Sequence, residues 1–136
     1  MICNQQGGIY VEKLSLKVLP KRLAVCSVDK DRPIPKWVLE SRDFYSITRT
    51  RNELSIVSAE ESVPIGVKAE KGWAAIEVEG PLGFDLIGIV SSLTTVLAEN
   101  EISVFVLSTY NTDYILIKEE NLKTAKTVLS KFYLVS

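Results

Sequence analysis

An α+β fold is predicted by three features of the sequence. Apolar residues alternate from Ala74 to Val78, as in a half-buried strand. An apolar stripe at helical spacing follows, through Ile89, Val90, Leu93, Val96 and Leu97. From Trp73 onward the order reads strand, helix, strand, strand, helix, strand, the split βαβ plan of ferredoxin-like folds. That plan hosts many activities, so function has to be read from particular residues.

The first half reads as short strands. Leu14, Leu16 and Val18 alternate with Ser15 and Lys17, and Leu23–Val28 is a second strand. Pro20, Lys21 and Arg22 between them predict a hairpin. Asp29–Pro35 is a charged loop, and Lys36–Ser41 a short turn of helix. Phe44–Thr48 and Glu53–Val57, rich in β-branched and aromatic residues, flank Arg49–Asn52 as another hairpin. Ala59–Gly72 carries Pro64, Gly66 and Gly72 without a sustained period, which marks a boundary. Within it Val63, Ile65 and Val67 alternate as an edge strand would.

In the second half, Gly80, Pro81 and Gly83 end the first strand. Asp85 suits an N-cap or first-turn carboxylate of the helix, and Asn100 a left-handed C-cap. Ile102–Leu107 is nearly continuous in apolar residues, as expected of a strand covered on both faces. Ser108–Asp113 is a polar loop, and Tyr114–Ile117 a further strand. Glu119 and Glu120 open a second helix with an apolar face of Leu122, Ala125, Val128 and Leu129, and Phe132–Val135 closes as a strand.

Composition removes whole classes of activity. The 136 residues contain no histidine. That excludes Ser-His-Asp and Cys-His nucleophiles and every histidine-containing metal site. Sixteen basic against seventeen acidic residues leave a net charge of −1, with no global attraction for nucleic acid or anionic lipid. Cys3 and Cys26 are too few for a disulfide scaffold or a zinc site and read as reduced thiols. Cys26, within Leu23-Ala24-Val25-Cys26, reads as buried and not as a nucleophile. The N-terminus has no apolar signal-peptide core, and no run approaches the roughly 20 residues that span a bilayer. A cytoplasmic, soluble protein without metal or cofactor is expected. Gly80, Gly83 and Gly88 do not fit a dinucleotide-binding spacing, and no Gly-Lys-Ser/Thr occurs. Asp29 and Asp31 are followed by Pro33 and Pro35 where further calcium ligands would stand.

In a βαβ unit the end of the first strand, the start of the helix and the end of the second strand share one sheet edge. This sequence places there a glycine-rich turn, Gly80–Gly88, and the loop Ser108-Thr109-Tyr110-Asn111-Thr112-Asp113. Free N–H groups at a helix start favour an anion such as a carboxylate. Gly83 and Gly88 permit close approach to the backbone, and Asp113 can receive an ammonium. A carboxylate site facing an ammonium site is what an α-amino acid requires. The same residue types also make ordinary turns.

The stretch Gly83-Phe84-Asp85-x-x-Gly88-Ile89-Val90, then Leu97-Ala98, Ile102-Ser103-Val104 and Ser108-Thr109-Tyr110-x-Thr112-Asp113-Tyr114-Ile115-Leu116, resembles the ACT domains of the CASTOR-type group. These are tandem-ACT proteins related to the regulatory domains of aspartate kinases. The first half is similar through Phe44–Thr50 and Glu53–Val57. The resemblance implies two ferredoxin-like (βαββαβ) ACT modules in tandem. The N-terminal one, over residues 1–62, is abbreviated and irregular; the C-terminal one covers 63–136. It also implies a non-catalytic regulatory protein that holds a free amino acid between modules, across a homodimer. Gly83, Asp85, Gly88, Ile89, Thr109, Tyr110 and Asp113 would form one wall, and Ser103 and Val104 the edge offered by the other module. A regulated protein partner is implied as well; the alternative is a protein–protein interaction module with no small ligand. Where the arginine sensors of the group carry a glutamate after Gly-Phe-Asp, this sequence has Leu86. A long cationic side chain loses a partner there. The implied ligand is therefore smaller or more apolar, unless the site is empty.

Overall fold

The structure, a computed structural model, describes residues 14–79 and 88–136. The chain divides into two compact units, one of Pro20–Trp73 and one made of the chain up to Leu19 together with Ala74–Ser136. The sequence placed a single boundary after residue 62; the units meet along the chain after Leu19 and after Trp73.

The contiguous unit holds β2 (Leu23–Val28), α1 (Lys36–Leu39), β3 (Tyr45–Arg49), β4 (Leu54–Ala59), a 3-10 turn at Glu60–Ser62 and the first part of β5 (Lys68–Val78). The strand order is β3-β4-β2-β5, with neighbours antiparallel. This is the ferredoxin-like order with both helices shortened, one to a single turn and the other to the 3-10 turn. Pro33 and Pro35 set the start of α1, with Pro35 as its N-cap, and Pro64 follows the 3-10 turn. Ala24, Cys26, Val38 and Ile56 form its core. Burial pushes the Cys26 thiol pKa up, which agrees with a structural cysteine. The expected edge strand over Val63–Val67 is absent. Those residues form a turn, in which Gly66 has φ 96° and Ile65 is fully exposed. Strand pairing starts instead at Lys68, and Gly72 (φ 82°) forms a bulge opposite Ala24.

The second unit contains β1 (Ser15–Val18), the remainder of β5, α2 (Ile89–Glu99), β6 (Phe105–Ser108), β7 (Asp113–Lys118), a 3-10 turn at Glu119–Asn121, α3 (Leu122–Leu129) and β8 (Leu134–Val135). Its order is β6-β7-β5-β1-β8. The predicted β1–β2 hairpin does not form. β1 instead lies between β5, antiparallel, and β8, parallel. Pro20, Lys21 and Arg22 mark an interruption between strands, which is equally compatible with a crossing from one unit to the next. Leu16, Ile76, Val78, Ile89, Leu93, Leu97, Ile115, Ile117 and Leu129 build the core between this sheet and the two helices.

α2 ends at Glu99 with Asn100 as its C-cap, as the sequence suggested, but Asn100 is not the left-handed residue. Asn100 has φ −107° and caps through its side chain, Nδ2 donating to the Val96 carbonyl at 2.9 Å. The left-handed residue is Glu101 (φ 58°), held where Ile102 N–H bonds the Leu97 carbonyl and Glu101 N–H that of Ala98. A side chain in that conformation costs about 1–2 kcal/mol. Glycine would remove the cost but adds about 0.5–1 kcal/mol of unfolded-state freedom. Glu101→Gly should therefore stabilise the fold by about 0.5–1 kcal/mol in chemical denaturation.

Candidate functional site

The site forms where β5 ends, α2 begins and β6 turns into β7. Ser108 pairs with Asp113 across the hairpin, closing a loop over 109–112. Side chains alternate along a strand, so Asp113 shares the face of Ile115 and Ile117, which the helices cover. The Ser108 hydroxyl donates to Asp113 Oδ1 at 2.5 Å. Among the described residues no cation neutralises this half-buried carboxylate, which leaves it able to receive one. Thr109 closes the loop: its N–H donates to the Thr112 carbonyl at 2.8 Å and its hydroxyl accepts from Thr112 N–H at 3.3 Å. The Thr112 hydroxyl donates to the Val78 carbonyl, fastening the loop to the end of β5.

The other pole is the start of α2. Gly88 is its N-cap, in the left-handed conformation (φ 80°, ψ 11°) that favours glycine. Among the described residues no side chain caps the helix, and no acidic residue stands in its first turn. A helix start without a capping carboxylate suits an anion. The sequence assigned that position to Asp85, but the helix starts at Ile89. Gly83 and Asp85, with Leu86, lie outside the described residues. Ile89 is buried in the core, so its contribution is confined to its backbone.

Ser103 and Val104 are at the opposite end of β6. The strand itself, roughly 10 Å long at about 3.3 Å per residue, stands between them and Asp113. They line an open groove of about 540 Å³ with Thr94, Thr95 and Ala98 of α2 and with Glu101 and Ile102. Within one chain, therefore, Thr109 and Asp113 lie in the loop fastened to the end of β5, and Ser103 and Val104 stand at the opposite end of β6. Tyr110 is 87% exposed. Sequence reasoning passed over Ser108 and Thr112 as individual contributors. Strand alternation would have paired Ser108 with Asp113; nothing in the sequence announced the Thr112–Val78 bond, which spans 34 positions.

β6 pairs only with β7 among the described strands, so its outer edge is open. Val106 is 37% exposed on it. On the sheet face away from the helices, Tyr114 donates to Glu77 Oε2 at 3.1 Å; burial first, and then that bond, raise the phenol's pKa. No group of three or more metal-ligating side chains occurs among the described residues, and no helix is long and apolar enough to cross a membrane.

Residues 68–131 match the family model of the ACT domain, and residues 21–65 match that of an N-terminal domain. The bovine protein "Cytosolic arginine sensor for mTORC1 subunit 1" (Bos taurus) is 31% identical over 87% of this chain, a match spanning 42% of that protein's length. A crystal structure of a protein from Agrobacterium tumefaciens is 31% identical, with a TM-score of 0.85, over 93% of this chain and 94% of that one. The regulatory subunit of aspartate kinase from Thermus thermophilus shares the fold at 11% identity, with a TM-score of 0.60, over 85% of this chain and 97% of that one.

Proposed function

Because this chain belongs to the ACT domain family, in its CASTOR-type group, we propose that it is a non-catalytic regulatory protein that binds a free amino acid between the C-terminal ACT modules of a homodimer. The observation that supports the reading is a carboxylate, Asp113, lacking a cationic partner among the described residues, in a molecule whose α2 start is uncapped and acid-free among the same residues. The ligand carboxylate takes the N–H groups at the start of α2. The ammonium takes Asp113. The bovine relative is named for sensing arginine in the cytosol, and we infer the same compartment here.

The dimer follows from β6. An open apolar strand edge is a template for pairing. Antiparallel pairing of two β6 strands about an axis at Val106 sets Ser103 opposite Thr109 of the second copy and Val104 opposite its Ser108. Each groove beside α2 then faces the Asp113 loop of the other copy, and symmetry makes two equivalent sites. Arginine preference is not expected, since Leu86 stands where the sensors' glutamate would be.

A thermal-shift screen of the proteinogenic amino acids tests this directly. We expect stabilisation by at least one of them, smaller or more apolar than arginine, with the free amino and carboxyl groups both required. Folded, dimeric protein that responds to none would reject ligand binding and leave the β6 edge as a protein contact.

A further inference from the structure

We propose that the β2–α1 loop of the Pro20–Trp73 unit is a guanidinium site that the chain fills from within, using Arg49. It lies in the unit that does not hold Asp113, and it does not depend on the amino-acid reading above. The two units repeat one hairpin. Thr50 N–H donates to the Glu53 carbonyl at 2.8 Å, and Glu53 N–H to Thr50 Oγ1 at 3.1 Å. Thr109 and Thr112 make the same two bonds, at 2.8 and 3.3 Å. Each loop is closed by a strand pair, Arg49 with Leu54 in one unit and Ser108 with Asp113 in the other.

The two pairs carry opposite chemistry. Asp113 is a carboxylate with no cation among the described residues, whereas its counterpart Leu54 is apolar and fully buried. The counterpart of Ser108 is itself a cation. Arg49 stands at an exposed strand end, where a guanidinium without an acceptor would stay in water. It reaches the loop between β2 and α1 instead. Nη2 donates to the Arg32 carbonyl at 2.8 Å and Nη1 donates to the Lys30 carbonyl. The loop that carries these acceptors is braced by its own bonds: Asp31 N–H donates to Asp29 Oδ1 at 2.9 Å, and Arg32 N–H to the Asp29 carbonyl at 3.2 Å. A planar guanidinium can meet two carbonyls at once; the compact ammonium of a lysine does not match that fork. The hairpin edge that presents an unanswered carboxylate in one unit is thus closed by the chain's own cation in the other.

The test uses the full chain as wild type, Arg49→Ala and Arg49→Lys. Each is melted with ethylguanidinium chloride or ethylammonium chloride at equal concentrations, below those at which guanidinium denatures. Arg49→Ala should melt about 2–4 °C below wild type. Ethylguanidinium should restore at least half of that loss in a saturable way, and ethylammonium should restore none. Wild type, already filled, should not be raised by either salt. Arg49→Lys should melt with the alanine variant. Should Arg49→Ala not fold, Arg49→Ser, which copies the residue at the matching position of the other unit, takes its place. Equal rescue by both salts, no rescue, or a wild type raised by ethylguanidinium overturns the proposal. If the wild type answers no amino acid, that counts against the Asp113 site alone, and selective rescue by ethylguanidinium still upholds the Arg49 site.

Discussion

Replacing Asp113 with alanine should abolish the amino-acid response while the chain stays folded. The side chain is half-buried at the end of a hairpin, and its one bond among the described residues is to the exposed Ser108 hydroxyl. Losing that bond costs the fold about 0.5–1.5 kcal/mol. The ligand loses more. A hydrogen bond to a charged group contributes about 1.5–3 kcal/mol, a roughly ten- to hundredfold change in affinity. Asp113→Asn separates the two effects, since an amide can still accept from Ser108 but carries no charge. Calorimetry should show both variants failing to bind, with the asparagine variant melting closer to wild type. Binding retained by either one would reject Asp113 as the ammonium partner.

The second large effect is expected at the strand edge. Val106→Asp should convert the dimer to monomer in sedimentation and remove amino-acid binding with it. Across a two-fold axis at that residue, the two introduced carboxylates would face each other directly, and like charges opposite one another destabilise a strand pair. The site tolerates the change within one chain, because Val106 is 37% exposed. Val106→Lys should likewise be monomeric. An equimolar mixture of the two variants should recover both dimer and binding, because each carboxylate then meets an ammonium. A Val106→Asp protein that remains dimeric, or a mixture that stays monomeric, would place the interface elsewhere.

The same strand shows where sequence reading succeeds and where it inverts. Ile102–Leu107 looked like a strand covered on both faces, and Ala74–Val78 like one covered on a single face. In the structure Ala74, Ala75, Ile76 and Val78 are all buried, while β6 is an edge with Val106 exposed. Apolar content reports how much surface a strand must hide, not whether its own chain hides it. An edge strand that carries a central strand's residues leaves part of that apolar surface uncovered by the described chain, as at Val106. The order of elements from Trp73 was legible because each carries its own period, and α2 kept the face read for it, with Ile89, Leu93 and Leu97 buried. The place of β1 was not legible. Alternation identifies a strand but not its partners, and those are set by residues more than fifty positions away. For the site, the turn between β6 and β7 was legible from its polar residues, whereas the start of α2 was not: the sequence put the cap at Asp85, and the N-cap is Gly88.

The position of β1 also bears on how the chain reaches its fold. β1 is hydrogen-bonded to β8, so that Leu16 sits beside Val135. The unit that holds α2 and α3 therefore closes only when Ser15–Leu16 and Leu134–Val135 have met. The unit between them, Pro20–Trp73, is contiguous and rich in short-range hairpin contacts. Contacts close in sequence form before those that must close a long loop. During synthesis the inner unit can be complete while β1 still waits for its parallel neighbour. The unit of Ala74–Ser136 with β1 is expected to be the later of the two to close.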